Sequence, residues 1–67
     1  MRVKFGNHID LCKRVRHTKG ENILLITTIY DVIYTVDCTS NTIATNLYNQ
    51  LCDYGYIDVS DLSYSNL

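Results

Sequence analysis

Two histidines and three cysteines are the residues of this 67-residue chain whose nitrogen and sulfur atoms could bind a transition metal or act as a nucleophile. They are His8, Cys12, His17, Cys38 and Cys52. No pair among them has the CxxC or HxxxH spacing that is typical of zinc sites. On a strand, His8 and Cys12 would lie about 13 Å apart, too far to share an ion, whereas on a helix they would be neighbours. We therefore predict no metal and no cofactor, with buried cysteines acting as small hydrophobic residues.

The sequence also lacks the signatures of catalysis. It contains no glycine-rich phosphate loop, no paired-carboxylate signature and no nucleophile motif. A domain of this length has little room for a desolvated pocket. We therefore predict that the protein is not an enzyme.

Charge is separated along the chain. All six Lys and Arg residues lie in the first nineteen positions: Arg2, Lys4, Lys13, Arg14, Arg16 and Lys19. Six of the seven carboxylates lie from Glu21 onward, and the net charge is −1. This separation bears on binding partners more than on fold, and it indicates an anion-seeking N-terminal third and a cation-seeking remainder.

The basic segment is a candidate site for phosphate or carboxylate groups. As a strand it would set Arg14 and Arg16 on one face, about 6.6 Å apart, and guanidinium groups bind such anions bidentately. The candidate anion-binding or nucleic-acid-binding residues are Arg14, Arg16 and Lys19. Three interpretations stay open: a solvated edge strand whose charge deters pairing, an acidic protein partner, and nucleic acid, which the lack of interleaved aromatic residues disfavours.

Tyrosine and aspartate concentrate in the second half of the chain, where five of the six tyrosines follow from Tyr34 onward. Tyrosine supplies large contact area at interfaces at low entropic cost. The candidate partner-binding residues are Tyr48, Tyr54, Tyr56 and Asp58. Asp53 opposes the dipole of the helix predicted below, so it marks either a functional position or an internal partner for Arg14 or Arg16.

The longest β-favouring segment runs from Ile23 to Val36. Its even positions are apolar or β-favouring throughout, and its odd positions become more polar towards the end. One straight strand of this length would span about 46 Å, whereas a compact domain of this size is only about 28 Å across. Either the chain bends or turns near Tyr30 and Asp31, or an arm projects and pairs with a second copy.

Residues 39–55 have the pattern of an amphipathic helix. Its apolar face, about 140° wide, comprises Ile43, Ala44, Leu47, Tyr48, Leu51 and Tyr54. Thr39 or Ser40 can cap its start, and Gly55 suits a left-handed end. A short strand over residues 56–59 and a polar tail are expected to follow.

Residues 1–22 fit two interpretations. A turn at Gly6-Asn7 separates alternating segments and predicts a β-meander. The residues that alternate after the turn are Ile9, Leu11, Val15 and His17. Alternatively, Asn7 caps a helix that ends at Gly20, which gives a βαββαβ two-layer sandwich. We favour the meander because residues 15–18 make a poor helix end.

We therefore predict one small α+β domain over residues 1–67, in which an antiparallel sheet of 3–5 strands is packed by one helix in the C-terminal half. Such a short chain buries only roughly 60 % of its unfolded surface, so a homodimer formed through the sheet edge is expected to supplement the core. An odd number of cysteines favours a reduced, cytoplasmic setting. No apolar run is long enough for a membrane span, so no membrane partner is expected.

The predicted function is non-catalytic binding. We expect a small protein that docks on a larger host protein or complex and inhibits or regulates it. The Asn-, Tyr- and Ile-rich composition matches AT-rich codons and is common among small viral proteins of phages and of other mobile elements of AT-rich bacteria. The expected target is therefore a host enzyme or defence system. The alternative is a small nucleic-acid-binding regulator that uses the basic N-terminal third, and a blander possibility is a structural subunit of a larger assembly.

Overall fold

The computed structural model describes residues 1–66, which form six strands and one helix. The elements are β1 (Arg2–Phe5), β2 (His8–His17), β3 (Ile23–Thr28), β4 (Ile33–Asp37), α1 (Asn41–Tyr54), β5 (Tyr56–Asp58) and β6 (Ser63–Asn66). The strands make one curled, mixed sheet in the order β5-β1-β2-β3-β4-β6, with α1 packed against it. The α+β prediction with a single helix is therefore confirmed. The βαββαβ alternative is wrong, because residues 8–17 form a strand.

The predicted count of 3–5 strands is wrong, because the sheet has six. Residues 23–36 divide into β3 and β4, and the expected polar tail contains a further strand, β6, which pairs antiparallel with β4. The sheet is also not purely antiparallel. The helix carries the chain across to β1, where β5 pairs in parallel.

The turn between β3 and β4 lies at Tyr30 and Asp31, where the length of the β-favouring segment predicted a bend or turn. Asp31 adopts a left-handed φ of 66°. The Thr28 hydroxyl accepts hydrogen bonds from the Tyr30 and Val32 amides, at 3.2 Å each, which stabilises the reversal. This segment is a hairpin and not a projecting arm.

A bulge at Lys13 interrupts the alternation of β2. Cys12 before it and Val15 after it both face the buried side of the sheet. Strict alternation from Cys12 would have sent Arg14 inwards and Val15 outwards, so the one extra residue reverses the two sides. The predicted alternation over Ile9, Leu11, Val15 and His17 is therefore wrong as a single face, since the bulge separates the first two from the last two.

Local signals position the helix as predicted. The Ser40 hydroxyl accepts a hydrogen bond from the Ile43 amide at 3.1 Å, which makes Ser40 and not Thr39 the N-cap. Gly55 ends the helix with φ 75°, and its amide bonds to the Leu51 carbonyl at 2.9 Å. The Gly55 carbonyl then accepts from the Arg2 amide at 2.7 Å, which starts the pairing of β5 with β1.

The core lies between the helix and one side of the sheet, which we call the inner face. Its fully buried large side chains include Val3, Leu24, Ile26, Val36, Leu51, Ile57 and Val59. The sheet curls so far that Phe5 of β1 stacks on Tyr34 of β4 at a ring separation of 4.4 Å and meets Tyr64 of β6 at 5.0 Å. Because α1 packs on the inner face, it leaves the opposite side of the sheet uncovered.

Candidate docking surface

The side of the sheet that faces away from the helix, which we call the outer face, carries an apolar centre. Four aliphatic side chains form this centre and are exposed to 52 %, 53 %, 45 % and 37 %: Ile9, Leu11, Ile29 and Ile33, respectively. Ile9 and Leu11 alternate along β2 with inward-facing residues, so they lie on one side. The Ile29 amide bonds to the Leu11 carbonyl at 3.0 Å, which brings the β3–β4 turn against them. Together these four side chains expose aliphatic surface to solvent on the side of the sheet that faces away from the core.

Four cations share the outer face with this centre: Arg2, Lys4, Arg14 and Arg16. Arg2 lies directly across from Leu11, and Lys4 directly across from Ile9, in the pairing of β1 with β2. The bulge sets Arg14 opposite Thr27, on the same outer side. The basic residues therefore interleave with the exposed aliphatic residues instead of forming a separate patch.

The arginines of the outer face are not neutralised within the described chain. Across residues 1–66 the basic side chains within ion-pair distance of a carboxylate are Lys13, beside Asp31, and His8, beside Asp10. Asp53, which the sequence offered as an internal partner for Arg14 or Arg16, is exposed on α1 and forms no ion pair in this part of the chain. The positive charge on the sheet is thus available to another molecule.

The β5 side of the outer face combines a tyrosine with a carboxylate. The Arg2 guanidinium carbon lies 5.7 Å from the centre of the Tyr56 ring, within cation–π range. Asp58 is the cross-strand neighbour of Lys4. Hydrogen bonds from the Ser60 hydroxyl and amide, together with the charge of Lys4, lower the pKa of Asp58 below its usual value.

The four predicted partner-binding residues do not form one surface. Tyr48 is half-buried against the core, with its ring 6.1 Å from that of His17. Tyr54 is 82 % exposed at the end of α1. Only Tyr56 and Asp58 lie together, on β5 at the edge of the outer face.

Of the predicted anion-binding residues, the structure brings Arg14 and Arg16 together on the outer face and leaves Lys19 apart. Lys19 is exposed in the turn between β2 and β3, where the neighbouring Gly20 amide bonds to the Asn41 side chain at 3.2 Å. Sequence reasoning missed Arg2 and Lys4, although their alternation with buried Val3 was a usable signal. It also missed the apolar centre, because the alternation of Ile9 and Leu11 resembled that of core residues.

A second polar cluster lies on β2, where the His8 Nε2 atom is 2.8 Å from a carboxylate oxygen of Asp10. The Cys12 thiol donates to the Asp10 carbonyl at 3.5 Å, and burial followed by the charge of Asp10 raises the pKa of Cys12. A raised pKa keeps the thiol protonated and weakly nucleophilic. Across residues 1–66 we find no cavity and no group of three or more side chains placed to hold a metal ion.

Within the described residues, the single helix is too short and too polar to cross a membrane. Comparisons of the chain with models of protein families, with curated proteins and with solved structures gave no match.

Proposed function

We propose that this protein is a small non-catalytic binding domain that docks through its outer face on an acidic surface of a larger protein, such as a host enzyme or defence complex of a phage or other mobile element. The observation that carries the proposal is the set of unpaired arginines that lie among four exposed aliphatic side chains. In this setting docking would inhibit or regulate the larger protein.

The composition of the outer face supports a protein partner. Protein interfaces have an apolar core inside a polar rim, and arginine is enriched among the residues that contribute most to binding. Leu11 and Ile9 would form such a core, with Arg2, Arg14 and Arg16 on the same face. Because the side chains project from a sheet and not from a loop, they are held in place before the partner arrives, which lowers the entropic cost of binding.

Charge complementarity then specifies the partner's surface. Each arginine of the outer face is exposed and has no carboxylate within ion-pair distance in the described chain. Carboxylates on a partner would accept bidentate hydrogen bonds from these guanidinium groups. The partner should therefore present carboxylates around an apolar patch.

Two single variants test the surface, and a third with the same charge change as the first serves as the control. We would purify a protein captured from host lysate and measure its affinity by isothermal titration calorimetry. Arg16→Glu should weaken binding by at least about tenfold, the size expected from reversing a well-placed interface charge, and Leu11→Ser should do the same. Lys19→Glu carries the same charge change outside the outer face and should bind as wild type.

The opposite pattern would support the tyrosine surface inferred from the sequence. If Tyr54→Ala abolishes capture while Arg16→Glu and Leu11→Ser bind normally, the outer face is not the docking surface. Circular dichroism of each variant excludes unfolding as the cause.

Nucleic acid is the second candidate, because the same unpaired Arg14 and Arg16 match phosphate as well as carboxylate. The outer face disfavours it, since its exposed side chains are aliphatic and the ring of Tyr56 is half-buried beside Arg2, so bases have little to stack on. A mobility-shift titration of duplex and single-stranded DNA at low salt separates the two. Phosphate-driven binding that falls steeply with salt would favour nucleic acid, and no shift would leave the protein partner.

A further inference from the structure

The curled sheet has two edges, which differ in how well they are protected from pairing with a further strand. The edge strands are β5 and β6. An unprotected edge offers backbone donors and acceptors to any further strand, so proteins usually shorten, charge or cover their edges. Which edge is protected therefore indicates where another strand can add.

The β5 edge is protected in three ways. It is only three residues long and carries the exposed charge of Asp58. Helix α1 packs beside it, and the Gln50 side-chain amide donates to the Tyr56 carbonyl at 3.2 Å. An acceptor that a further strand would need is thus already occupied.

The β6 edge is one residue longer and has neither the charge nor the packed helix that protects β5. Its four residues, Ser63, Tyr64, Ser65 and Asn66, are all exposed and uncharged, and they include neither proline nor glycine. In the described chain the hydrogen bonds of β6 run to β4, including those between the Thr35 hydroxyl and the Ser65 carbonyl and hydroxyl, at 3.3 and 3.2 Å. Its other side has no strand paired with it among residues 1–66.

We infer that β6 pairs antiparallel with β6 of a second copy of this chain, across a two-fold axis. A two-fold pair centred on Ser65 places each Ser65 opposite its own copy and each Tyr64 opposite Asn66, so no like charges meet. Short hydroxyl side chains opposite one another favour such pairing. The strand is therefore complementary to itself, as a symmetric dimer requires.

Such a dimer joins two sheets into one and keeps both outer faces on the same side. Ser65 lies on the outer face, beside Thr35 of β4, so the two docking surfaces would be neighbours. The inference does not depend on the proposed function, because it uses only the β6 edge.

Opposite charges at Ser65 test the pairing. By sedimentation velocity, wild type should be a dimer whose population rises with concentration. Ser65→Lys and Ser65→Glu alone should each be monomeric, because like charges would meet at the two-fold axis. An equimolar mixture should restore the dimer at low salt. Asn49→Lys, with the same added charge on the exposed helix, should dimerise as wild type does.

Hydrogen exchange of the wild-type protein provides a test that needs no variant. Amides of residues 63–66 should become more protected as concentration rises, while those of β5 should not. A wild type that stays monomeric at its highest soluble concentration would overturn the inference. So would dimers that persist in both Ser65→Lys and Ser65→Glu. Both variants retain the arginines and the four aliphatic side chains of the docking surface, so a failure of dimerisation is distinguishable from a failure of docking.

Discussion

Lys13 and Asp31 form an ion pair that connects the bulge of β2 to the turn between β3 and β4. Asp31 therefore pairs with Lys13, which is the extra residue of the bulge. Arg14, the next residue, is left on the outer face without a carboxylate partner in the described chain. Lys13 therefore has a structural role, whereas Arg14 is available for binding.

The ion pair predicts a pH dependence of stability. The hydrogen bond and the charge of Lys13 lower the pKa of Asp31 below its ordinary value of 3.8. A carboxylate with a lowered pKa in the folded state stabilises the fold above its ordinary pKa, and this contribution is lost as pH falls through the lowered, folded-state pKa. Asp31→Asn should therefore lower the Tm slightly at pH 6, and this difference from wild type should shrink as pH falls below 3.8, as measured by calorimetry.

The effect of Asp31→Asn should be small because both partners are exposed to solvent, where water and salt screen the pair. Glu21→Gln removes the same charge from a residue outside the ion pairs and serves as the control. A larger Tm difference between Asp31→Asn and wild type at pH 2 than at pH 6 would contradict the assigned sign.

The bulge itself can be tested by deleting Lys13. Without it, regular alternation keeps Leu11 and Arg14 on the outer face and Cys12 and Val15 on the inner face, so the deletion should retain the native circular dichroism spectrum. Deleting Val15 instead sends either Arg14 or Arg16 to the inner face, and an unpaired guanidinium in the core costs several kcal/mol. A domain this short has a total stability of only about 5 kcal/mol, so that deletion should unfold it. An unfolded Lys13 deletion variant would show that the fold needs the bulge.

The bulge also illustrates which parts of the fold were readable from the sequence. The helix start at Ser40 and its end at Gly55 depend on side-chain and backbone preferences of the residues themselves, and they were predicted to within a residue or two. The bulge at Lys13 depends on which side of β2 the core accepts, and no local pattern marks it. The exposed position of Leu11 could not be predicted for the same reason.

The six-stranded sheet was not readable because its outer pairings are long-range. β5 reaches β1 from the opposite end of the chain, and β6 has the polar composition of a tail. The candidate site was predicted in part. Arg14 and Arg16 do share a face, whereas Tyr48, a residue expected at an interface, packs against the core because the helix turns it inwards.

Thr39 offers a stabilising substitution. Its φ of 66° is left-handed, a conformation that strains a β-branched residue by about 1 kcal/mol or more. Asparagine tolerates this conformation, and the Thr39 amide would keep its bond to the Asp37 carboxylate at 2.9 Å. Thr39→Asn should therefore stabilise the protein by about 0.5–1 kcal/mol in urea denaturation. Thr42→Asn, the same exchange in the regular helix, should leave the free energy of unfolding almost unchanged. Equal changes in this free energy at both positions would contradict the inferred strain at Thr39.

Leu11 and Leu24 separate what the outer face contributes to stability from what the core contributes. Leu24 is completely buried, whereas Leu11 is 53 % exposed. Leu24→Ala should cost about 2–5 kcal/mol and unfold much of this domain, while Leu11→Ala should cost about 1 kcal/mol or less, because most of its surface is already in water. Urea denaturation followed by circular dichroism measures both. If Leu11→Ala loses as much stability as Leu24→Ala, the fold needs Leu11, and stability alone explains why a leucine occupies this position. If the loss is small, the fold does not need Leu11, and binding is then the physical reason for an exposed leucine among unpaired arginines.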